Sequence, residues 1–219
     1  MESYNEVKGV IYTSGSEPAF TWDYEGERNA WVRLEKIKPE KELQNFEVKG
    51  EFSLELTEGE YVLLPYIEDD TNDTVYYAPD YPVHIIYDRT GPGEMNFELA
   101  TDCRAMVDND RDDFQFFAAD GVDIVAHPGN DEISGVEKIF MNCSGMEYET
   151  DRLSIKDGTV NISQVSAYCV DRCGNRSDTY VLSLPKIVID RKGPEVKVDH
   201  EENDGNVIFM ISQEDTGSG

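Results

Sequence analysis

The chain writes nearly the same eight letters twice, "IIYDRTGP" at residues 85 to 92 and "IVIDRKGP" at 187 to 194, 102 positions apart (187 less 85). Each copy runs three apolar residues into Asp-Arg-x-Gly-Pro, the pattern of a buried strand that stops at a turn. Pro92 and Pro194 have no amide hydrogen with which to continue a sheet ladder, and Gly91 and Gly193 can take backbone angles closed to other residues. Two such endings about a hundred residues apart are the mark of a repeated domain. A chain of 219 residues accommodates two units of that size, each long enough to bury a core, and a remainder.

Between these endings lie short apolar stretches rich in β-branched and aromatic residues, broken by turn residues about every ten positions. In the first unit the pattern predicts strands at 8–12, 19–24, 30–36, 46–56, 60–68 and 82–87. The second gives 95–99, 114–118, 136–142, 148–155, 160–170 and 180–189. No window keeps apolar spacing of 3, 4 and 7 for the length of an ordinary helix. The expected fold is all-β, an antiparallel sandwich in each unit. Two details favour its immunoglobulin-like version. "LTEGEY" (56 to 61) places Tyr61 just after a turn, at the entry to a long strand, which is the setting of a tyrosine corner. Trp31 falls on the third expected strand, where such folds bury a Trp. The second unit keeps the turn, "IKDGTV" (155 to 160), with Val160 where Tyr61 stands.

At "VSAYCVDRCGNRS" (165 to 177), followed by "IVIDRKGPEVKV" (187 to 198), the chain resembles the tandem immunoglobulin-like domains of bacterial cell-surface proteins. Asp171, Gly174, Asn175, Asp190 and Pro194 carry the likeness, and "DEISGV" (131 to 136) resembles that family's Ser-Gly turn. Cys169 and Cys173 stand where the family has small residues. The first unit matches more loosely, since "IEDDTND" (67 to 73) lacks the Gly-Asn turn. The resemblance implies residues 1–90 as a first repeat, 91–192 as a second and 193–219 as the opening strands of a third, with Ser218-Gly219 in the place of Ser134-Gly135. It further implies an elongated segment of a longer array, outside the cell, on the bacterial surface or secreted.

Charge narrows the partners. With 46 Asp and Glu against 19 Lys and Arg, the formal charge of −27 repels phosphate backbones and anionic lipid heads, so neither nucleic acid nor a membrane surface is expected as a partner. No apolar run approaches the roughly 20 residues of a spanning helix, so no direct membrane insertion is expected. Catalytic signatures such as G-x-S-x-G, a P-loop or H-E-x-x-H do not occur, and the three histidines, His84, His127 and His200, are widely spaced. The expectation is a non-catalytic chain that requires no cofactor.

Three groups of residues are candidates for more. Acidic clusters offer calcium ligands: Asp69, Asp70 and Asp73 in one turn, Asp108, Asp110 and Asp112 in another, and Asp88 and Asp190 at the hinges, where calcium could stiffen a domain junction. The second turn departs from an EF-hand, with Asp113 in place of the required Gly and Ala119 in place of the closing Glu. Solvated acidic loops are the plainer reading. "TVYYAPDYPV" (74 to 83) offers Tyr76, Tyr77 and Tyr81 as a loop that stacks on sugar rings or anchors a protein, or else packs around Pro79 and Pro82. The four cysteines allow three pairings. Sandwich topology puts Cys103 near Cys143 at one pole and Cys169 near Cys173 at the other, and four free thiols are the alternative. The leading expectation is thus a structural or adhesive segment whose partners are an extracellular protein or glycan and neighbouring repeats of the same chain. A carbohydrate-binding module, or an accessory region of a larger secreted enzyme, is the alternative.

Overall fold

The computed structural model describes residues 9–15, 19–21, 29–48, 51–69, 74–78, 80–101, 106–108, 115–156, 159–160 and 162–215. All regular structure among them is strand and turn, and no helix is long and apolar enough to cross a membrane. The chain divides into two compact units. The first comprises Met1–Glu94 together with Pro128–Lys138 and Tyr168–Asp178; the second comprises Met95–His127, Ile139–Ala167 and Thr179–Gly219.

The first eight strands are β1 (Gly9–Thr13), β2 (Ala19–Thr21), β3 (Ala30–Lys38), β4 (Glu42–Val48), β5 (Glu51–Ser53), β6 (Gly59–Asp69), β7 (Thr74–Tyr77) and β8 (Val83–Tyr87). They form one sheet in the order β1-β8-β6-β3-β4, with β7 also on β6, and a second pair, β2-β5. Alternation decides the inward face, since successive side chains of a strand point to opposite sides. Ala30, Val32 and Leu34 of β3, Tyr61 and Leu63 of β6, and Ile85 and Tyr87 of β8 are buried in one cluster with Leu54 and Leu56, and Phe52 of β5 packs against it. Trp31 corrects the expectation of a core tryptophan: it sits between buried Ala30 and Val32 and so faces the other side of the sheet. The tyrosine corner is present. The Tyr61 hydroxyl donates to the Thr57 carbonyl at 2.5 Å and accepts from the Thr57 amide at 3.1 Å.

The next eleven strands are β9 (Asn96–Ala100), β10 (Met106–Asp108), β11 (Gln115–Ala118), β12 (Val122–His127), β13 (Val136–Cys143), β14 (Met146–Glu149), β15 (Arg152–Ile155), β16 (Thr159–Val160), β17 (Gln164–Asp171), β18 (Tyr180–Ser183) and β19 (Lys186–Ile189). Their sheets run β10-β11-β19-β16, β15-β12-β9 and β14-β13-β17-β18. Three expected strands in this stretch are each two, and 160–170 divides into β16 and β17. Residues 148–155 break between Glu149 and Arg152, where the chain passes from the β13 sheet to the β12 sheet, and 180–189 breaks at Pro185, which cannot donate to a ladder. Strand β12 was not expected at all, although Val122, Ile124, Val125 and Ala126 are buried in it. The last two strands, β20 (Glu195–Asn203) and β21 (Asn206–Glu214), form a hairpin of their own. Its turn, Asp204-Gly205, takes positive φ at both residues (48° and 78°), as a tight hairpin demands.

Candidate functional site

The segment after β8 carries the most organised polar structure among the described residues. Strand β8 ends because its neighbour does: β1 pairs with it in parallel up to Thr13 and Tyr87, and the Asp88 amide makes the last bond, to the Thr13 carbonyl at 3.1 Å. The Asp88 carboxylate then accepts from the Thr90 amide at 3.0 Å, an Asx turn that redirects the chain. Glu58 fixes the following residues by accepting from the Arg89 amide at 3.1 Å and the Thr90 hydroxyl at 2.8 Å.

Two loops complete the surroundings. In the loop before β13, Asp131 Oδ1 accepts from the amides of Ile133, Ser134 and Gly135 at 3.0 to 3.1 Å. The Ser134 amide is shared, lying 3.2 Å from Asp88 Oδ2. After β17, Asp171 accepts from the Asn175 backbone amide and side-chain amide, both at 2.8 Å, and that side-chain amide also donates to the Asp88 carbonyl at 2.8 Å. Arg172 ties the loops to each other: its guanidinium donates to the Ser134 carbonyl at 2.9 Å and its amide to the Gly135 carbonyl at 3.2 Å. Gly135 is required here. Its φ of +73° disfavours a side chain, and a Cβ would lie 2.8 Å from the Arg172 guanidinium.

Asp88 and Asp171 are almost wholly buried, Asp131 is half-buried, and one oxygen from each lies within 4.8 Å of the others. Three carboxylates this close repel one another, and donated N–H groups offset part of that charge. Oxygen ligands from three directions also suit a hard cation such as calcium. Cys173 lies beside them, with its thiol 3.5 Å from the Ile86 carbonyl; burial pushes the thiol pKa up, and the negative charges of Asp171 and Asp88 push it further.

Of the two calcium candidates whose side chains are described, Asp88 enters this cluster. Asp190 forms its own Asx turn, accepting from the Lys192 amide at 2.9 Å. Asp70, Asp73, Asp110 and Asp112, and the side chains of Asp69 and Asp108, lie outside the described residues. Asp131 and Asp171 were legible as parts of a turn motif, yet nothing in their spacing joined them to Asp88. The cysteine pairing is corrected in part. Cys143, Cys169 and Cys173 are free thiols: Cys169 points into the core from β17 while Cys173 turns away to Ile86, so the pair does not meet. Cys103 lies outside the described residues.

The tyrosines are not one loop. Tyr76 and Tyr77 are consecutive on β7 and exposed, hence on opposite faces, and Tyr81 packs against the core. The register instead sets Trp31, Tyr66 and Tyr77 side by side across β3, β6 and β7, on the face away from the core. The Tyr66 and Tyr77 ring centroids are 6.1 Å apart, and the Trp31 indole N–H has no hydrogen-bond partner. Burial raises the Tyr66 pKa, with Glu68 and Tyr77 adding to the shift and Arg33 opposing it. Shallow cavities of about 240 Å³ beside Asn142 and Gln164, and about 210 Å³ beside Lys36 and Tyr61, contain none of the candidate residues.

Compared with known proteins, the sequence matches no family model and is not significantly similar to any curated protein.

Proposed function

We propose that the chain is a non-catalytic structural or adhesive segment of a bacterial surface or secreted protein, a stalk of immunoglobulin-like repeats that projects or contributes to binding an extracellular partner. The observation that carries this reading is the use made of the buried acids around Asp88. Asp88, Asp131 and Asp171 accept at least one backbone N–H each, so they hold the strand ending and two loops in place rather than facing a substrate. Groups spent on backbone amides order a connection between repeats, which is what a stalk needs.

Limited trypsin digestion tests it. The bond after Arg89 should resist cleavage in the wild type and become cleavable in Asp171→Ala, as followed by mass spectrometry. Rapid cleavage there in the wild type would mean a loose linker and would defeat the reading.

Calcium is a second reading, favoured by the three carboxylate oxygens within 4.8 Å. Ligand binding to the folded form raises stability by mass action, so millimolar calcium against chelator should raise the unfolding temperature, and Asp131→Asn should abolish the rise. No rise in the wild type would exclude it. A glycan partner is favoured by the row Trp31-Tyr66-Tyr77, because aromatic faces in line stack on successive sugar rings. A glycan array comparing the wild type with Tyr77→Ala decides this: a hit lost in the variant supports the row, and a blank array removes it.

A further inference from the structure

We propose that β20–β21 is the first strand pair of a third sandwich and that its apolar face is the docking surface for that sandwich's remaining strands, supplied by polypeptide C-terminal to Gly219. The inference extends the repeat reading but stands on register. Strands β9 and β12 pair antiparallel, with Phe97 opposite Ala126 and Leu99 opposite Ile124. In the hairpin, Val198 is opposite Ile211 and His200 opposite Phe209. Moving β9 by 101 positions (198 less 97) and β12 by 85 (211 less 126) maps both pairs onto the observed ones.

The sequence supplies the same shifts. Glu94-Met95-x-Phe97 becomes Glu195-Val196-x-Val198, one residue nearer its Gly-Pro because Gly93 has no counterpart. Val122-x-Ile124-x-Ala126 becomes Val207-x-Phe209-x-Ile211. Outside the strands, Asp88 corresponds to Asp190, and Asp131-x-x-Ser-Gly corresponds to Asp215-x-x-Ser-Gly.

Equivalent positions differ in one respect. Met95, Val122, Ile124 and Ala126 are buried, whereas Val196, Val198, Val207, Phe209 and Ile211 are 49% to 71% exposed. The register puts these five on one face, while Ile208 and Met210, also exposed, lie on the other face among Asp199 and Glu201; a two-stranded hairpin cannot cover its own face. A second copy of the chain is a poor cover. The hairpin carries Glu195, Asp199, Glu201, Glu202, Asp204 and Glu214 in a chain of charge −27, so pairing two copies opposes like charges.

The proposal also makes a sequence statement. Asp171 follows Asp131 by 40 residues (171 less 131), so the continuing chain should carry an Asp, beside a Gly-Asn turn, about 40 residues past Asp215.

Hydrogen exchange tests it, comparing the 219-residue chain with a natural-sequence extension of roughly 70 residues, the remaining length of a sandwich of about 100. The amides of Val207 to Ile211 should slow at least about 100-fold in the extended chain. Phe209→Asp should abolish that gain while leaving β3 and β6 as protected as before. Absence of any gain on extension overturns the proposal. So does a natural reading frame that ends at Gly219, or protection in the 219-residue chain that grows with concentration alongside dimer formation.

Discussion

Asp88 and Asp190 occupy the same place in the two copies of one sequence, and their surroundings differ. Both amides bond back to the end of a parallel neighbour, Thr13 in one case and Ala118 in the other. Both carboxylates close an Asx turn two residues on, at 3.0 and 2.9 Å. There the likeness ends. Asp88 is buried among Ser134, Asn175 and two further carboxylates, whereas Asp190 is half-buried, and Arg191 instead reaches the carbonyls of Ala119, Asp120 and Lys156. Eight letters therefore specify how a strand stops, and residues 40 to 90 positions away decide whether the stop becomes a polar core. Substitutions at matched positions should separate the two contributions.

The largest expected difference is between Asp171→Ala and Asp190→Ala. Asp171→Ala removes the acceptor for both Asn175 amides, each bonded to a buried charged group, and should cost about 3 kcal/mol. Asp190→Ala removes the exposed turn bond from the Lys192 amide and should cost below about 1 kcal/mol. Both tryptophans, Trp22 and Trp31, precede residue 90, so their fluorescence during denaturation reports the unit that contains Met1–Glu94. Hydrogen exchange covers the second. Equal costs would mean that the loops around Asp88 add nothing to what the repeated letters supply.

Gly91 and Gly193 sharpen the same contrast. From sequence, both can take backbone angles closed to other residues at a strand ending, and Gly91 with Gly93 suggests a bendable hinge. In the structure a Cβ on Gly91 would lie 2.4 Å from the Arg176 carbonyl oxygen, while one on Gly193 would meet nothing within 4 Å. Gly91 is thus required for close approach rather than for bending. Gly91→Ala should destabilise by about 2 kcal/mol through overpacking against backbone. Gly193→Ala should be neutral or stabilise by about 0.5 kcal/mol, through the unfolded chain. If the two alanines behave alike in denaturation, the contact at Arg176 is not the reason for the glycine.

These cases show what the sequence could and could not reveal. Strand endings, turns and the tyrosine corner were legible because each depends on residues within about five positions. Two failures have different physical causes. Strand β12 was missed although Gly121 before it and Pro128-Gly129 after it bracket "VDIVAH", so the signal was local and available. The carboxylate cluster was not available, since Asp88, Asp131 and Asp171 meet only through the packing of distant loops, and an acidic chain offers too many carboxylates for spacing to choose among. Trp31 fell between the two. Its strand was read correctly, and its face was not, because alternation gives two faces and only the buried neighbours Ala30 and Val32 say which is inward.

Tyr61 and Val160 give a third, smaller contrast. Tyr61→Phe keeps the ring among Leu63, Ile85 and their neighbours but removes the hydroxyl bonds to Thr57, at a cost of about 1 kcal/mol. Val160→Tyr should not recover a comparable gain, since β16 is two residues long and pairs with β19 rather than opening a long strand. A stabilised Val160→Tyr variant would show that the corner is portable with its turn.

The smallest effect concerns pH and distinguishes the loop after β17 from the acidic stretch "IEDDTND" (67 to 73), which has no cysteine. Burial raises the Cys173 thiol above its ordinary pKa of 9.0, hydrogen bonding to Thr13 and Ser134 opposes the shift, and Asp171 and Asp88 add to it. The folded chain therefore holds this proton where the unfolded chain releases it. By linkage, that contribution to stability is complete below about pH 9 and is lost as pH rises through the folded pKa. Tyr66, also raised, from 10.0, adds a decline of the same sign at higher pH. Wild type and Cys173→Ala, compared by denaturation at intervals from about pH 8 to about pH 10, should diverge in slope, with the wild type falling faster. Iodoacetamide should label Cys173 in the folded chain more slowly than in urea at about pH 8.5, because the thiolate is the nucleophile. Parallel slopes together with equal labelling rates would mean that neither burial nor the carboxylates of Asp171 and Asp88 hold the thiol proton.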